Sequence, residues 1–348
     1  MSPLSRRKFL AGLAAAPVVA ACGGGGEEEA ASSTTTSLAT TTSSSTTSTT
    51  APPPVQPLTG IVHQGDPAVL QRPALVVKIN NIDTNSDQGR PQSGINEADV
   101  VFEERTEGGI SRFAAVFQST DSDPVLPVRS ARLTDLEITS MLNRPLFANS
   151  GGNRTVMDAV HHANLVPVGH EEVGNDYYYR IAGRRAPHNL ASSTPMLWSL
   201  APAGSLPPAP LFTYREPGTT PAGGVPTNGV YVEYGGGPAQ APVEHRFDPV
   251  SGGWARWQNG TPHVDTAGVQ VNPANLIVQF IQYDGTRGVL TGSGEAWVFT
   301  GGLLVAGSWQ RPDPALPTAF LDAAGTPIAL SPGRTWVLLP PPGGGRLL

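Results

Sequence analysis

Proline and glycine constrain this chain more than any other feature. There are 40 glycines and 35 prolines among 348 residues. Turns therefore recur too often for long helices, and the pattern favours many short elements joined by loops. The length leaves room for two domains of ordinary size once the non-globular ends are set aside. Charged residues are only 14% of the chain, and the net charge of -6 with a pI near 5.6 offers no basic face for nucleic acid.

The N-terminus reads as an address rather than as structure. Arg6-Arg7 sits in a twin-arginine region, followed by an apolar run from Phe9 to Ala21 that is too short to span a bilayer. The run ends in Val19-Ala20-Ala21-Cys22, which resembles a lipobox and contains the only cysteine. Residues 1–22 are expected to be a twin-arginine lipoprotein signal peptide. A diacylglycerol on Cys22 would hold the protein at the extracytoplasmic face of the cell membrane. With no second cysteine, the exported part has no disulfide and depends on its cores. Residues 23–54 form a Ser/Thr tract between a glycine run and Pro52-Pro53-Pro54. This stretch has too little apolar surface to offset the entropy of ordering, so a disordered linker is expected.

Beyond the linker the pattern predicts an α+β protein: a mixed α/β N-terminal domain over 55–203 and a β-rich C-terminal domain over 204–340, then a disordered tail over 341–348. Strands are expected at Ala74–Asn80, Asp99–Glu104 and Arg112–Gln118, the last two joined as a hairpin through Gly108-Gly109. A helix is expected after Ser130 as N-cap, with apolar residues at 133, 136 and 141. Further segments are a short strand at Leu146–Asn149, a helix at Thr155–Asn164 and a strand at Tyr177–Ile181. In the second half, eight strand segments are expected from Tyr231 to Leu339, one of them Leu276–Tyr283. Asn259-Gly260 and Gly301-Gly302 serve as hairpin turns.

The densest group of ionisable residues lies between Arg90 and Arg132. Arg129 and Arg132 flank the expected helix start, where free N–H groups and the helix dipole favour an anion, and guanidiniums add paired donors for carboxylate or phosphate. The alternative for both is ion pairing with Asp135 or with the hairpin glutamates. Glu104 falls opposite Arg112 across the hairpin, while Glu103 points to the other face. Glu103, Glu107 and His188 are the candidate acid–base groups. His188 has Ser192 and Ser193 nearby but no nucleophile elbow. His161, His162, His170, Glu171 and Glu172 match no standard zinc spacing, and no metal is expected. Trp254, Trp257, Trp297, Trp309 and Trp336 are expected to fill a core, with a sugar-stacking face as the alternative.

The motifs Arg90-Pro91-Gln92-Ser93-Gly94, Ala98–Glu103, Glu107–Phe113, Pro127–Arg132 and Ala186–Leu190 occur in this order. Pro262-His263-Val264-Asp265, Gly307-Ser308-Trp309 and Pro332–Trp336 follow. Together they closely resemble the YerB-type family of bacterial lipoproteins, built from domains of unknown function. The resemblance runs from about Leu58 to Pro340 and implies a two-domain, lipid-anchored extracytoplasmic protein with no established reaction. Asn149-Ser150 and Ala191 depart from the family pattern, which has histidine and tyrosine near these places. The expected function is therefore that of a non-enzymatic envelope lipoprotein without a cofactor. It would bind an anionic ligand or partner through Arg90, Arg112, Arg129 and Arg132, with Gln92, Ser93, Ser130, His188 and Asn189 as neutral contacts. Its location suggests peptidoglycan or a wall-synthesis protein as partner. The alternative is a hydrolase or transferase of envelope polymer using Glu103 or Glu107 with His188.

Overall fold

Three runs of residues covered on both sides make the centre of the molecule: Leu75–Asn80 (β1), Val100–Arg105 (β2) and Ser111–Phe117 (β3). Near-continuous burial is what strands with both faces packed require. The computed structural model describes residues 53–84, 89–235, 237 and 241–348. The expected signal peptide, Cys22 and nearly all of the expected linker lie outside the described residues.

The first half adds Leu133–Thr139 (α1), Leu146–Ala148 (β4), Arg154–His162 (α2), Val166–Pro167 (β5) and His170–Val173 (α3). A small hairpin, Tyr179–Arg180 (β6) with Leu190–Ala191 (β7), precedes Thr194–Trp198 (α4). The second half begins with Val225–Pro226 (β8), Gly229–Val232 (β9), Val243–Asp248 (β10), Gly253–Gln258 (β11) and Thr261–Pro262 (β12). It continues with Asn275–Gln279 (β13), Gln282–Asp284 (β14), Arg287–Val289 (β15), Gly292–Thr300 (β16) and Leu303–Arg311 (β17). Ala319–Leu321 (β18), Thr335–Leu339 (β19) and Gly345–Leu347 (β20) complete it. The described residues are thus mostly strand with short helices, further toward β than the expected balance.

One large sheet runs β18-β17-β16-β13-β19-β2-β3-β1-β4-β5, with β8 beside β17. The two halves of the sequence meet inside it, because β19 pairs parallel with β2 from Thr335↔Val100 to Leu339↔Glu104. Strand alternation gives this sheet two apolar faces. On one face Ile79, Phe113, Val278 and Trp336 pack with Val230, Val243 and Trp254 from a second sheet of order β12-β11-β10-β9-β20. On the other face Val76, Phe102 and Ala114 pack with Ile138 of α1 and Val156 and Val160 of α2.

The β2–β3 hairpin forms as expected, with Glu104 opposite Arg112 and positive φ at Gly108 and Gly109. Asn259-Gly260 and Gly301-Gly302 are also tight turns with positive φ. Three expectations are corrected. Helix α1 starts at Arg132, not Ser130, because Asp135 Oδ2 accepts the Arg132 backbone N–H at 2.7 Å and supplies the cap. The segment 276–283 is not one strand: it breaks at Phe280-Ile281, where Ile281 N–H turns to the Pro340 carbonyl, and resumes as β14. The expected tail over 341–348 contains β20, which pairs with β9 and satisfies its backbone edge. Of the tryptophans, Trp254, Trp309 and Trp336 are buried core residues, while Trp257 and Trp297 are half-buried.

Candidate functional site

Backbone bonds fix the segment that holds the expected arginines. Arg129 N–H donates to the Lys78 carbonyl at 2.8 Å, Val128 N–H to Leu190 at 2.9 Å and Ala131 N–H to Gly151 at 2.9 Å. These bonds lay residues 128–131 against the C-terminal end of β1. The ends of parallel strands are where open α/β sheets place their ligand sites. Strands β1 and β2 both run antiparallel to β3 and so end on the same side.

Three guanidiniums gather at this edge. Arg112 Nη1 donates to the Ser130 carbonyl at 3.0 Å, and Arg132 Nη1 approaches the same oxygen at 3.4 Å. Burial, and then the neighbouring charges of Arg132 and Arg129, pull the Arg112 guanidinium down to about 10. Arg132 is also held by Glu107, whose Oε2 accepts from Nε at 3.0 Å and Nη2 at 2.7 Å. Glu107 sits at the hairpin tip with its side chain 55% exposed. Burial alone would raise its carboxyl, but the Arg132 hydrogen bonds and the charges of Arg132 and Arg112 hold it below the usual range.

Beneath them lies a buried ion triad that the sequence did not announce. Lys78 Nζ bonds Glu104 Oε1, and also Asp135 Oδ1 at 2.8 Å, with all three side chains 0% exposed. Burial, and then the Asp135 carboxylate, push Glu104 up to about 7 against the pull of Lys78. Asp135 uses its second oxygen to cap α1, so the triad fixes where Arg132 stands. The one available signal was a lysine inside the apolar run Leu75–Ile79.

The remaining predicted residues go to different places. Glu103 points to the opposite face, where its Oε1 accepts from Arg256 Nη2 at 2.8 Å and Ser111 Oγ at 2.6 Å. Arg256, fully buried, also donates to Gln258 Oε1 at 2.8 Å and bonds His263 Nδ1. His263 Nε2 in turn donates to Gln92 Oε1 at 2.7 Å, and Gln92 Nε2 reaches the Asn80 carbonyl at 2.9 Å. This chain of bonds needs His263 neutral. Burial, then the charges of Arg256 and Arg90, hold it well below its ordinary value. Gln92 and Glu103 are thereby built into an interior network that ties the second sheet to the first. Arg90 pairs with Asp83, and Ser93 makes a backbone bridge to Leu126.

His188 lies on the arginine side of the sheet, where Asn80 Nδ2 donates to its Nδ1 at 2.7 Å. It is therefore separated from Glu103 by the sheet. Asn189 is engaged in its own turn, accepting from Arg180 at 2.8 Å and donating to the Arg184 carbonyl at 3.2 Å. Among the histidines considered for a metal, His161 contacts Glu172 at 3.0 Å and His170 contacts Asn175 at 3.0 Å. Chemically, the arginine group suits recognition of a carboxylate or phosphate by paired guanidinium donors.

Residues 58–205 match the N-terminal domain, and residues 230–337 the C-terminal domain, of a family described as a protein of unknown function, DUF3048. YerB of Bacillus subtilis, provisionally named as a lipoprotein, is 25% identical over 296 residues, covering 82% of this chain and 86% of YerB. The crystal structure of YerB shares the fold, with a TM-score of 0.72 at 23% identity, over 84% of this chain and 99% of that one.

Proposed function

The chain belongs to the DUF3048 family of proteins of unknown function and carries both of its domains; on that footing we propose a lipid-anchored envelope protein that recognises an anionic group through Arg112, Arg129 and Arg132. The anchoring rests on the Val19–Cys22 lipobox pattern and on the lipoprotein name of the similar Bacillus protein. No helix among the described residues is long and apolar enough to cross a membrane. The likeness to a family without a known reaction leaves the function itself to the site.

The observation that carries the reading is the meeting of Arg112 and Arg132 at one carbonyl oxygen, that of Ser130. Like charges drawn together on a fixed backbone are relieved when an anion enters. Glu107 already plays that part for Arg132, one of its oxygens accepting from two guanidinium nitrogens. Being half-exposed on a hairpin tip, it is an internal carboxylate that a ligand's carboxylate or phosphate would replace. At the outer face of a membrane, the anionic partners of this kind are peptidoglycan, with its peptide carboxylates, or an acidic segment of a wall-synthesis protein.

Recovery of envelope components on the immobilised protein tests this. Wild type should retain a partner that the Arg129→Ala/Arg132→Ala variant loses. Equal recovery of every component by both proteins would sink the arginine reading.

A further inference from the structure

At the opposite end of the large sheet, where β2, β13 and β19 begin, lies a polar cleft of about 440 Å³. It shares no lining residue with the arginine group. Arg334 forms one wall, on the turn that leads into β19. Its position depends on Gly333, which has φ +148° and whose missing Cβ would fall 2.5 Å from the Ala274 side chain.

Arg334 is half-buried, and burial draws its guanidinium below the ordinary value while Glu97, Asp99 and Asp265 counter that at a distance. Two of these acids are already saturated. Asp99 accepts from the backbone of Gln118 at 2.6 Å and of Ser119 at 2.8 Å, and from the Ser119 hydroxyl. Asp265 accepts from the backbone of Ala267 and Val269, both at 2.9 Å, and from Asn96 at 2.8 Å. They balance the charge of Arg334 without using its five N–H donors. Glu97 lines the same cleft, and it makes neither a side-chain hydrogen bond nor an ion pair with a described residue, Arg334 included. A cation and an anion thus face one polar space without neutralising each other by contact.

We propose that this cleft binds a small zwitterion, an amino acid or a short free peptide, with the ligand carboxylate on Arg334 and its ammonium group on Glu97. The guanidinium suits two-point capture of a carboxylate. Asn96 and Thr120, also on the walls, supply neutral polar contacts.

The test is ligand-observed NMR and calorimetry on the purified full-length chain with alanine and alanyl-alanine, each also N-acetylated and C-amidated. At least one free form should bind, and capping either end should weaken it tenfold or more. Glu97→Gln should bind the free and N-acetylated forms alike, and Arg334→Gln should lose both. The proposal is overturned if neither free form binds wild type, if capped forms bind as well as free ones, or if a folded Arg334→Gln binds undiminished. Should Arg334→Gln not fold, the capped ligands and Glu97→Gln still decide.

Discussion

Replacing Lys78 by methionine would expose what holds the arginine platform in place. The substitution keeps the length of the side chain and removes the one cation that, among the described residues, is bonded to Glu104 and Asp135, both 0% exposed. Removing one partner of a buried ion pair costs about 3–5 kcal/mol, because the remaining charge stays buried without compensation. The size of the loss should depend on pH. Burial and Asp135 raise Glu104 from 4.5 to about 7. Between those values the folded state keeps a proton that the unfolded chain has released, so stability falls as pH rises through the window. Without Lys78 the charged form is disfavoured further. Urea unfolding followed by tryptophan fluorescence should therefore show Lys78→Met losing about 3–5 kcal/mol at pH 8, and ~1–2 kcal/mol less than that at pH 5. A loss below about 1 kcal/mol, or an equal loss at both pH values, would refute the argument that the triad is an ionic unit.

Two more predictions concern the interior network. Arg256→Met leaves the buried Glu103 with neutral partners such as Ser111 and Asn81 and no ion pair, and should cost about 3–5 kcal/mol, while Arg256→Met/Glu103→Met should recover most of it; a double variant as unstable as the single one would contradict this. Burial, and then the charge of Arg256, lower His245 from 6.5 to about 3, and its Nδ1 donates to the Trp254 carbonyl at 3.1 Å. The unfolded chain gains a proton below 6.5 that the folded chain refuses, so this residue's stabilisation is complete above that value and is lost as pH falls toward 3. His245→Phe should reduce the slope of stability against pH between 4 and 6 by about 1.4 kcal/mol per unit, and an unchanged slope would count against a buried neutral imidazole.

The local features of the fold were legible in the sequence, whereas the long-range ones were not. The β2–β3 hairpin followed from a glycine pair between two strand runs, and its register put Glu104 opposite Arg112. The turns at Asn259-Gly260 and Gly301-Gly302 followed from the same chemistry. What decides the site is carried by pairs far apart in the chain. Lys78 meets Asp135 across 57 residues, Arg256 meets Glu103 across 153, and His263 meets Gln92 across 171. No periodicity reports such partners. Ser130 is a good capping type and points to a helix start two residues early, while the actual cap comes from Asp135, a side chain whose other oxygen is fixed by Lys78. Residues 341–348 read as a disordered tail, yet the open edge of β9 recruits residues 345–347 as a strand.

The arginine group is tested most directly by calorimetric titration of the purified chain with muropeptides bearing free peptide carboxylates. Wild type should be compared with Arg132→Gln and Glu107→Gln. Arg132→Gln keeps the backbone N–H that Asp135 caps, so the helix start is preserved. Loss of one charge-assisted contact of about 1.5–3 kcal/mol corresponds to at least a tenfold weaker affinity. Glu107→Gln removes the internal competitor and should bind more tightly than wild type, and added salt should weaken all three. Absence of binding by wild type, or affinities that neither substitution changes, would contradict recognition of an anion at this edge of the sheet.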